Sequence, residues 1–253
     1  MKQLFYLLIL FISSSLFATD ETLSFATANQ LYQQGKYEEA LAKFESISQE
    51  SKGQVSAELY FNLANCYYKT HQVAPAIYNY EKALLVHPDY EQAKTNLEFA
   101  KKLQLDDIKE IPKVGLGVLL YDATQILHYD SWAWLAVAFS ILALLSFVVY
   151  YFSEKALLKR IFFISMSVEI LLVFLFVVLG FFQRSYSNKE QPAIIFAEET
   201  PLKTDPNSMQ KNKMLLHEGT KVFVLTTKGN WKKVQLTDET TGWIAADAIK
   251  MLK

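Results

Sequence analysis

The sequence predicts a multidomain membrane protein with an all-α repeat domain, a two-helix transmembrane hairpin and a small all-β domain, in that order. Three observations support this prediction. Related helical segments recur at a fixed spacing near the N-terminus, two apolar runs are each long enough to cross a bilayer, and short β-prone runs separated by turn residues fill about the last sixty positions. A chain of 253 residues is long enough for two or three such modules rather than one large core.

Composition and charge exclude several classes of function. Lys and Arg number 25 against 26 Asp and Glu, so the formal net charge of −1 gives no basic footprint of a nucleic-acid-binding protein. The single cysteine, Cys66, excludes a disulfide framework and a thiolate zinc cluster, and we expect it to be buried and inert. The eight glycines show no phosphate-loop or dinucleotide-loop spacing, and the four histidines show no metal-ligand spacing. We therefore expect no cofactor, no metal and no nucleic-acid partner.

Residues 1–18 are predicted to be a secretory signal peptide. Lys2 precedes an apolar run, small residues up to Ala18 follow it, and a polar chain begins at Thr19. A positive start, an apolar stretch of this length and a small residue at the cleavage position are typical of such peptides. An uncleaved anchor helix is the alternative, although the run is short for a span. Cleavage after Ala18 would leave the N-terminal domain outside the cytoplasm.

Two segments, residues 132–152 and 161–182, are predicted to cross the membrane. Each gives a helix about as long as the ~30 Å hydrocarbon core, and two such lengths in tandem favour a hairpin over buried core helices. Three basic residues lie in the connecting segment, residues 153–160, which the positive-inside rule places in the cytoplasm. Residues 104–131 are predicted to be an interfacial segment that leads into the first span, and residues 183–191 a polar linker. Both soluble domains would then lie on the same, extracytoplasmic side.

One ionisable residue, Glu169, falls within the second predicted span. A charged group at that depth costs roughly 2.5–3.5 kcal/mol on insertion scales, so a carboxyl there is a functional hypothesis by default. A single carboxyl does not make an ion pathway, and we favour a role in helix–helix association. The alternative is a neutral carboxyl that is hydrogen-bonded to Ser140, Ser146 or a partner helix.

Residues 20–103 contain an internal helical repeat. Ala40 and Ala76 are 36 residues apart, as are Phe44 and Tyr80, and small residues at such positions let paired helices approach closely. This pattern resembles the tetratricopeptide repeat with a two-residue insertion, and the second copy matches more completely than the first. The resemblance implies an all-α stack of two repeats that is closed by a final capping helix.

The resemblance also implies a partner-binding groove, because in this family the first helix of each repeat lines a concave face that holds peptides. The candidate groove residues are Asn29, Tyr32, Phe61, Asn62, Asn65, Tyr68, Lys69 and Asn96. An asparagine side chain both donates and accepts hydrogen bonds, which suits an extended peptide backbone. The alternative is that some of these asparagines cap or bridge helices within the stack.

Residues 192–253 are predicted to be a small all-β barrel. The glycine-led strands at 229–234 and 242–244 resemble those of the bacterial Src-homology-3 domain. That resemblance implies binding of peptides or cell-wall glycans through exposed aromatic residues, so Trp231 and Trp243 form the candidate ligand face. Both tryptophans could equally belong to the barrel core.

Taken in order along essentially the whole chain, these modules resemble the BatE-type proteins of the Bacteroides aerotolerance operon. The resemblance implies protein partners, among them the von Willebrand A-type membrane proteins of the same operon, and it implies no reaction. We therefore expect a non-enzymatic scaffold in the bacterial inner membrane, with both soluble domains in the periplasm, that acts in an aerotolerance or envelope-stress complex. A peptidoglycan-binding tether that acts through the barrel is the alternative. We do not expect catalysis, since the sequence has no HExxH motif and its one cysteine lies inside a repeat helix.

Overall fold

The computed structural model describes residues 19–51, 55–109, 111, 115–206 and 212–253. The predicted signal peptide, residues 1–18, lies outside the described residues. The chain forms two compact units. The first combines the described residues up to Lys109 with Pro192–Lys253, and the second is Glu110–Gln191. The repeats and the β-strands, which the sequence analysis treated as separate domains, therefore belong to one unit.

The N-terminal part of the first unit is a stack of helices, which we call the repeat domain. Its described helices are α1 (Thr19–Gln33), α2 (Tyr37–Glu50), α3 (Ala57–Lys69), α4 (Val73–Val86) and α5 (Glu91–Lys101). Consecutive helices pack against one another, so α1–α2 and α3–α4 are the two predicted repeats and α5 follows them. The side chain of Ser56 starts α3 by accepting a hydrogen bond from the backbone N–H of Leu59 at 3.1 Å.

The turns inside the two repeats share one backbone geometry. Gly35 has φ of 76° and His71, at the equivalent position of the second repeat, has φ of 58°. The N–H of Gly35 donates to Tyr32 O at 3.0 Å, and the N–H of His71 donates to Tyr68 O at 3.2 Å. The left-handed conformation after a helix end normally favours glycine. His71 adopts it although its Cβ makes this backbone conformation sterically unfavourable.

Small and aromatic residues fill the core of the repeat domain. Ala40, Ala76, Phe44 and Tyr80 are all buried, as their shared spacing predicted. Each alanine allows two helices to approach closely, and each aromatic ring fills the space that remains between them. The all-α repeat region of the predicted fold class is confirmed.

The second unit consists of a short helix, α6 (Leu116–Thr124), and two long ones, α7 (Tyr129–Phe152) and α8 (Ala156–Lys189). The long helices pack antiparallel, since the Trp132 ring lies 5.8 Å from Phe176 and the Tyr150 ring lies 5.9 Å from Phe163. Both are long and apolar enough to span a membrane, and their apolar side chains are largely exposed rather than buried in a protein core. These features indicate a membrane protein.

The long helices extend beyond the predicted spans. The turn between them is confined to residues 153–155, because the basic residues that follow are good helix formers and continue α8. At its other end, α8 runs through most of the predicted linker 183–191 and stops at Lys189. Pro192 explains this end, since the residue before a proline disfavours helical backbone. The predicted interfacial segment 104–131 contains α6.

The C-terminal part of the first unit, Pro192–Lys253, is an antiparallel sheet, which we call the β-domain. Its strands are β1 (Pro192–Ile195), β2 (Glu199–Lys203), β3 (Asn212–His217), β4 (Lys221–Lys228), β5 (Trp231–Gln235), β6 (Thr241–Ala245) and β7 (Ile249–Met251), in the spatial order β3-β2-β6-β5-β4-β1-β7. Residues from alternate positions, among them Val222, Val234 and Ile244, form one buried core. The all-β part of the predicted fold class is confirmed.

Two of these strands, β2 and β7, have weak signals in the sequence. β2 contains Pro201, and a proline ordinarily argues against a central strand because it lacks an N–H to donate to the sheet. It is accommodated because β2 pairs along its length with β3 but meets β6 at a single register position, Lys203 with Trp243. β7 has three residues and is too short to show an alternating pattern.

The β-domain packs on α4 of the repeat domain. Ile194 and Leu252 are buried in the same hydrophobic cluster as Ile77 and Tyr80. The Tyr78 hydroxyl donates a hydrogen bond to Met251 O at 3.1 Å. We call these contacts, with those of residues 104–109, the junction. The junction explains why both parts form one unit.

Candidate functional site

The predicted groove residues lie on α1, α3 and α5, where side chains from successive helices meet. Asn62 Nδ2 donates to Asn29 Oδ1 at 3.3 Å, which links α3 to α1. Asn96 Nδ2 donates to Asn65 Oδ1 at 2.8 Å, which links α5 to α3. We call these four residues the asparagine ladder. The ladder bridges helices within the stack, as the alternative interpretation anticipated.

The two steps of the ladder differ in strength. Asn65 Oδ1 also accepts a hydrogen bond from the buried Tyr80 hydroxyl at 2.6 Å. Burial raises the pKa of Tyr80, so the phenol keeps its proton and remains a donor. Because Asn65 Oδ1 accepts two bonds, its amide orientation is fixed. The Asn62–Asn29 step has one longer bond and no buried partner.

The aromatic groove candidates also take part in packing. The Phe61 ring lies 6.1 Å from Tyr80 and 4.9 Å from Tyr90. Tyr32 stands edge-on to Tyr37 at 5.2 Å. The half-buried Tyr68 packs against the core cluster that contains Ile77. These rings form the floor of the face rather than its outermost surface.

Lys69 is the most exposed of the groove candidates. It lies one turn after Asn65 on α3, so both belong to the same helix face. Its ammonium lies 5.9 Å from the centre of the Tyr37 ring, a distance at which cation–π attraction acts. We call the surface of the asparagine ladder, its aromatic floor and Lys69 the ladder face. It offers amide groups and one cation to a bound chain.

Cys66 is fully buried beside this face. Burial raises the pKa of its thiol to about 12, so the thiol is protonated at neutral pH and is a poor nucleophile. This position fits the packing role expected from the sequence. Within the described residues, no group of three or more His, Cys, Asp or Glu side chains is placed to hold a metal ion.

The junction contains a carboxylate whose importance the sequence analysis missed. Asp106 Oδ2 accepts hydrogen bonds from the backbone N–H of His217 at 2.7 Å and from Thr220 Oγ1 at 2.6 Å. Asp106 Oδ1 lies 2.7 Å from His217 Nδ1. We call these contacts the Asp106 clasp. It ties the segment after α5 to the turn between β3 and β4.

The clasp shifts the pKa values of both of its ionisable residues, Asp106 and His217. Burial favours the neutral acid, but the hydrogen bonds from His217 and Thr220 outweigh it and hold the pKa of Asp106 below its usual value. The hydrogen bond to Asp106 raises the pKa of His217. Both shifts favour the charged form, which is the carboxylate of Asp106 and the imidazolium of His217. The clasp is therefore an ion pair at pH values between the two pKa values.

A second ion pair joins α4 to the β-domain. Lys221 Nζ lies 2.7 Å from Glu81 Oε2, and Glu81 is buried in the junction. Nearby, Gln104 Nε2 donates to Gly219 O at 2.6 Å. The polar groups of the junction are thus matched in charge and hydrogen bonding around the apolar contacts of Ile194 and Leu252.

The candidate tryptophans of the β-domain lie on the face opposite its core. Trp243 pairs with Lys203 on β2 and with Lys233 on β5, and cross-strand partners project from the same face. Trp231, two residues before Lys233, projects from this face as well. Neither tryptophan belongs to the buried core cluster, and both are half-buried. Lys203 Nζ lies 5.5 Å from the Trp231 ring.

Glu169 lies in the seam between α7 and α8. Its Oε1 accepts hydrogen bonds from Ser146 Oγ at 3.1 Å and from Ser165 Oγ at 3.0 Å. The Ser146 contact is one that the sequence analysis named as an alternative, whereas Ser140 is exposed. The Ser146 bond connects the two long helices, whereas the Ser165 bond lies within α8.

Residues 31–98 match a family model described as tetratricopeptide repeat. The matched region begins near the end of α1 and ends within α5, so it includes every residue of the asparagine ladder except Asn29. No curated protein matches the chain. The family match supports a protein-interaction role for the repeat domain, and tetratricopeptide repeats are in general non-enzymatic modules.

Proposed function

We propose that the protein is a non-enzymatic scaffold anchored in the bacterial inner membrane, where its ladder face binds a segment of a partner protein. The observation that carries this proposal is the asparagine ladder. Its hydrogen bonds fix side-chain amides on the first helices of both repeats and on α5. A bound chain would meet oriented donors and acceptors without a large loss of side-chain entropy.

The junction supports a topology in which the hairpin crosses the membrane twice. The repeat domain precedes the two long helices and the β-domain follows them, yet both belong to one unit. They can meet only if both ends of the hairpin emerge on the same side of the membrane. The predicted signal peptide and the basic residues at the start of α8 both favour a periplasmic location for that side, and we assign it to the periplasm.

The resemblance to BatE-type proteins suggests the complex in which this scaffold acts. We propose that its partners are von Willebrand A-type membrane proteins and that the assembly serves aerotolerance or the response to envelope stress. The family match to tetratricopeptide repeats supports protein partners in general. The hairpin would keep the ladder face close to partners that are themselves in the membrane.

Affinity purification of the full-length protein from native membranes in mild detergent tests this proposal. The variant Asn62→Ala/Lys69→Glu changes the ladder face at its weaker bond and at its most exposed side chain. We expect recovery of the partner to fall about tenfold, which corresponds to ~1.4 kcal/mol of binding free energy. Unchanged recovery would contradict a role for this face.

A matched control separates binding from charge. Lys43→Glu makes the same change of charge on the exposed surface of α2, away from the ladder, and should leave recovery unchanged. Asn65→Ala is unsuitable as a binding test, because Asn65 holds Tyr80 and Asn96 and its loss would destabilise the stack.

A peptidoglycan tether is the second candidate function. It is favoured by Trp231 and Trp243, which are half-buried on the outer face of the β-domain beside lysines. This face has the chemistry that the resemblance to bacterial Src-homology-3 domains implies. The test is sedimentation of the full-length protein with purified cell wall, with Trp243→Ala expected to weaken it. The whole chain is needed because Ile194 and Leu252 pack into the repeat domain.

A further inference from the structure

The hairpin of β4 and β5 carries an apolar and basic tip. Residues 225–230 are all exposed, and the side chain of Leu225 is 51% exposed. Gly229, at the turn, has nothing within 4 Å of the position that a Cβ would take, so the tip projects into open space. Residues 221–237 include four lysines and no aspartate or glutamate.

The register spreads the positive charge over both faces of this two-stranded ribbon. Lys228 pairs with Trp231, and Lys233 pairs with Thr226. Lys232 lies between Trp231 and Lys233 on β5 and therefore projects from the other face. Lysines thus surround the tip on both sides, with Leu225 and Trp231 between them.

Within the described part of the first unit, the ion pairs that hold the junction do not involve the lysines of the tip. The junction uses a different lysine, Lys221, in its ion pair with Glu81. Among the described residues, Lys228, Lys232 and Lys233 have no ion-pair partner. Three cations beside the exposed Leu225 and the half-buried Trp231 match a surface that is anionic and has an apolar layer beneath its charge.

We propose that the tip of the β4–β5 hairpin binds the anionic headgroups of the membrane in which α7 and α8 are anchored. The inference rests on the proposed insertion of those helices. α8 ends at Lys189 and β1 begins at Pro192, so only two residues connect the membrane anchor to the β-domain. Such a tether gives a high effective concentration of lipid, and a weak contact is then sufficient.

The expected strength follows from the three cations. Each lysine close to an anionic lipid surface contributes about fivefold in binding. The three lysines together therefore account for about a hundredfold preference for an anionic over a neutral surface. Leu225 and Trp231 add apolar contacts at the depth of the headgroups. The bound tip would fix the β-domain, and with it the repeat domain, at the membrane surface.

The test places an environment-sensitive fluorophore at the tip of the full-length protein. Cys66→Ala removes the native cysteine and Leu225→Cys supplies the labelling position. The protein is reconstituted in nanodiscs of phosphatidylcholine, with or without phosphatidylglycerol. We expect a blue shift of emission and protection from iodide quenching in the discs that contain phosphatidylglycerol. The triple variant Lys228→Glu/Lys232→Glu/Lys233→Glu should lose both signals.

Two control labels separate this inference from the proposed anchoring. A label at Ser140→Cys on α7 should report lipid in every disc, and its absence from lipid would contradict the anchoring itself. A label at Lys213→Cys on β3 should report water throughout. Lys213 Nζ donates a hydrogen bond to the carbonyl of Thr241 on β6. Thr241 pairs with Gln235, which lies at the end of β5 opposite to the tip of the β4–β5 hairpin.

Three outcomes would overturn the inference while the Ser140 label remains in lipid. The first is a tip label that reports water in both kinds of disc. The second is an equal signal in neutral and anionic discs, which would remove the role of the lysines. The third is a signal that appears only when soluble cell-wall fragments are added, which would assign the tip to a glycan.

Discussion

Two faces of the repeat domain differ in what they contact and in how exposed their polar side chains are. On the ladder face, Asn62 and Asn65 bridge helices while their side chains stay half-exposed. On the face of α4, Glu81 and Ile77 are buried against the β-domain, and the Asp106 clasp lies beside them. The difference shows that the second face is closed by the chain itself. The ladder face carries pre-oriented polar groups, which is what a partner-binding surface requires.

The apolar centre of the junction should give the largest effect on stability. Ile194 is fully buried in the repeat-domain cluster although it belongs to β1. We expect Ile194→Ala to lower the free energy of unfolding by about 3–4 kcal/mol, because it leaves a cavity between the two parts. Leu225→Ala removes an exposed side chain and should cost less than about 0.5 kcal/mol. Denaturant unfolding of the full-length protein in detergent measures both, and similar effects would contradict the buried junction.

The Asp106 clasp should give the next largest effect. Asp106→Ala leaves the N–H of His217 and the hydroxyl of Thr220 without their acceptor. We expect a loss of about 2–3 kcal/mol, measured by the same unfolding experiment. Asp106→Asn keeps an acceptor but removes the charge, so it should cost less. If both substitutions were neutral, the clasp would not hold the junction.

The clasp should also make stability depend on pH. The pKa of Asp106 is lowered in the folded protein, so its contribution is present above its unfolded pKa of about 4 and falls as acid protonates it. The pKa of His217 is raised, so its contribution is present below its unfolded pKa of about 6.5 and falls as pH rises through the folded value. The difference in stability between the native protein and Asp106→Ala should therefore be greatest between about pH 4 and 6.5. A difference that does not vary with pH would show that charge plays no part.

The sequence predicted the features that depend on local pattern. The repeat period, the apolar spans and most strands follow from residue spacing, because neighbouring residues determine which face of a helix or strand is apolar. The clasp could not be predicted in this way, since Asp106 and His217 are far apart in the sequence and neither lies in a recognisable motif. Asp106 fell in a segment predicted to be interfacial, and His217 was one of several scattered histidines.

The ladder face shows a second limit of what residue spacing can predict. Spacing placed Asn62 and Asn65 on the same face of α3, but it could not tell which asparagine is held by a buried group. That distinction depends on the Tyr80 hydroxyl, which reaches Asn65 from the neighbouring helix. Likewise, β2 is hard to predict from sequence because Pro201 argues against a strand until its register with β3 is known.

The two steps of the ladder should respond differently to substitution. Asn65→Ala removes the shared acceptor of Tyr80 and Asn96 and should cost about 1–2 kcal/mol of unfolding free energy. Asn62→Ala removes one longer hydrogen bond at a half-exposed position and should cost less than about 1 kcal/mol. Equal costs in denaturant unfolding would contradict the difference between the steps.

The equivalent turns of the two repeats should give the smallest effects, of opposite sign. His71→Gly relieves a side chain from left-handed backbone and should raise stability by about 0.5–1 kcal/mol. Gly35→Ala introduces that strain in the first repeat and should lower stability by about 1 kcal/mol, since no neighbour obstructs the added carbon. Thermal unfolding of the two variants is the measurement. Shifts of the same sign would mean that the turns are not equivalent.

Crosslinking across the junction tests the central claim that the repeat domain and the β-domain form one body on one side of the membrane. In the Cys66→Ala protein, Glu81→Cys and Lys221→Cys place thiols at positions whose native side chains are in contact. After treatment of native membranes with a short bismaleimide, the chain is cut at a protease site introduced between α7 and α8. Our account predicts that the two fragments remain joined, and that Lys43→Cys with Lys221→Cys leaves them separable. Separation of the fragments in the Glu81→Cys/Lys221→Cys protein would contradict the account.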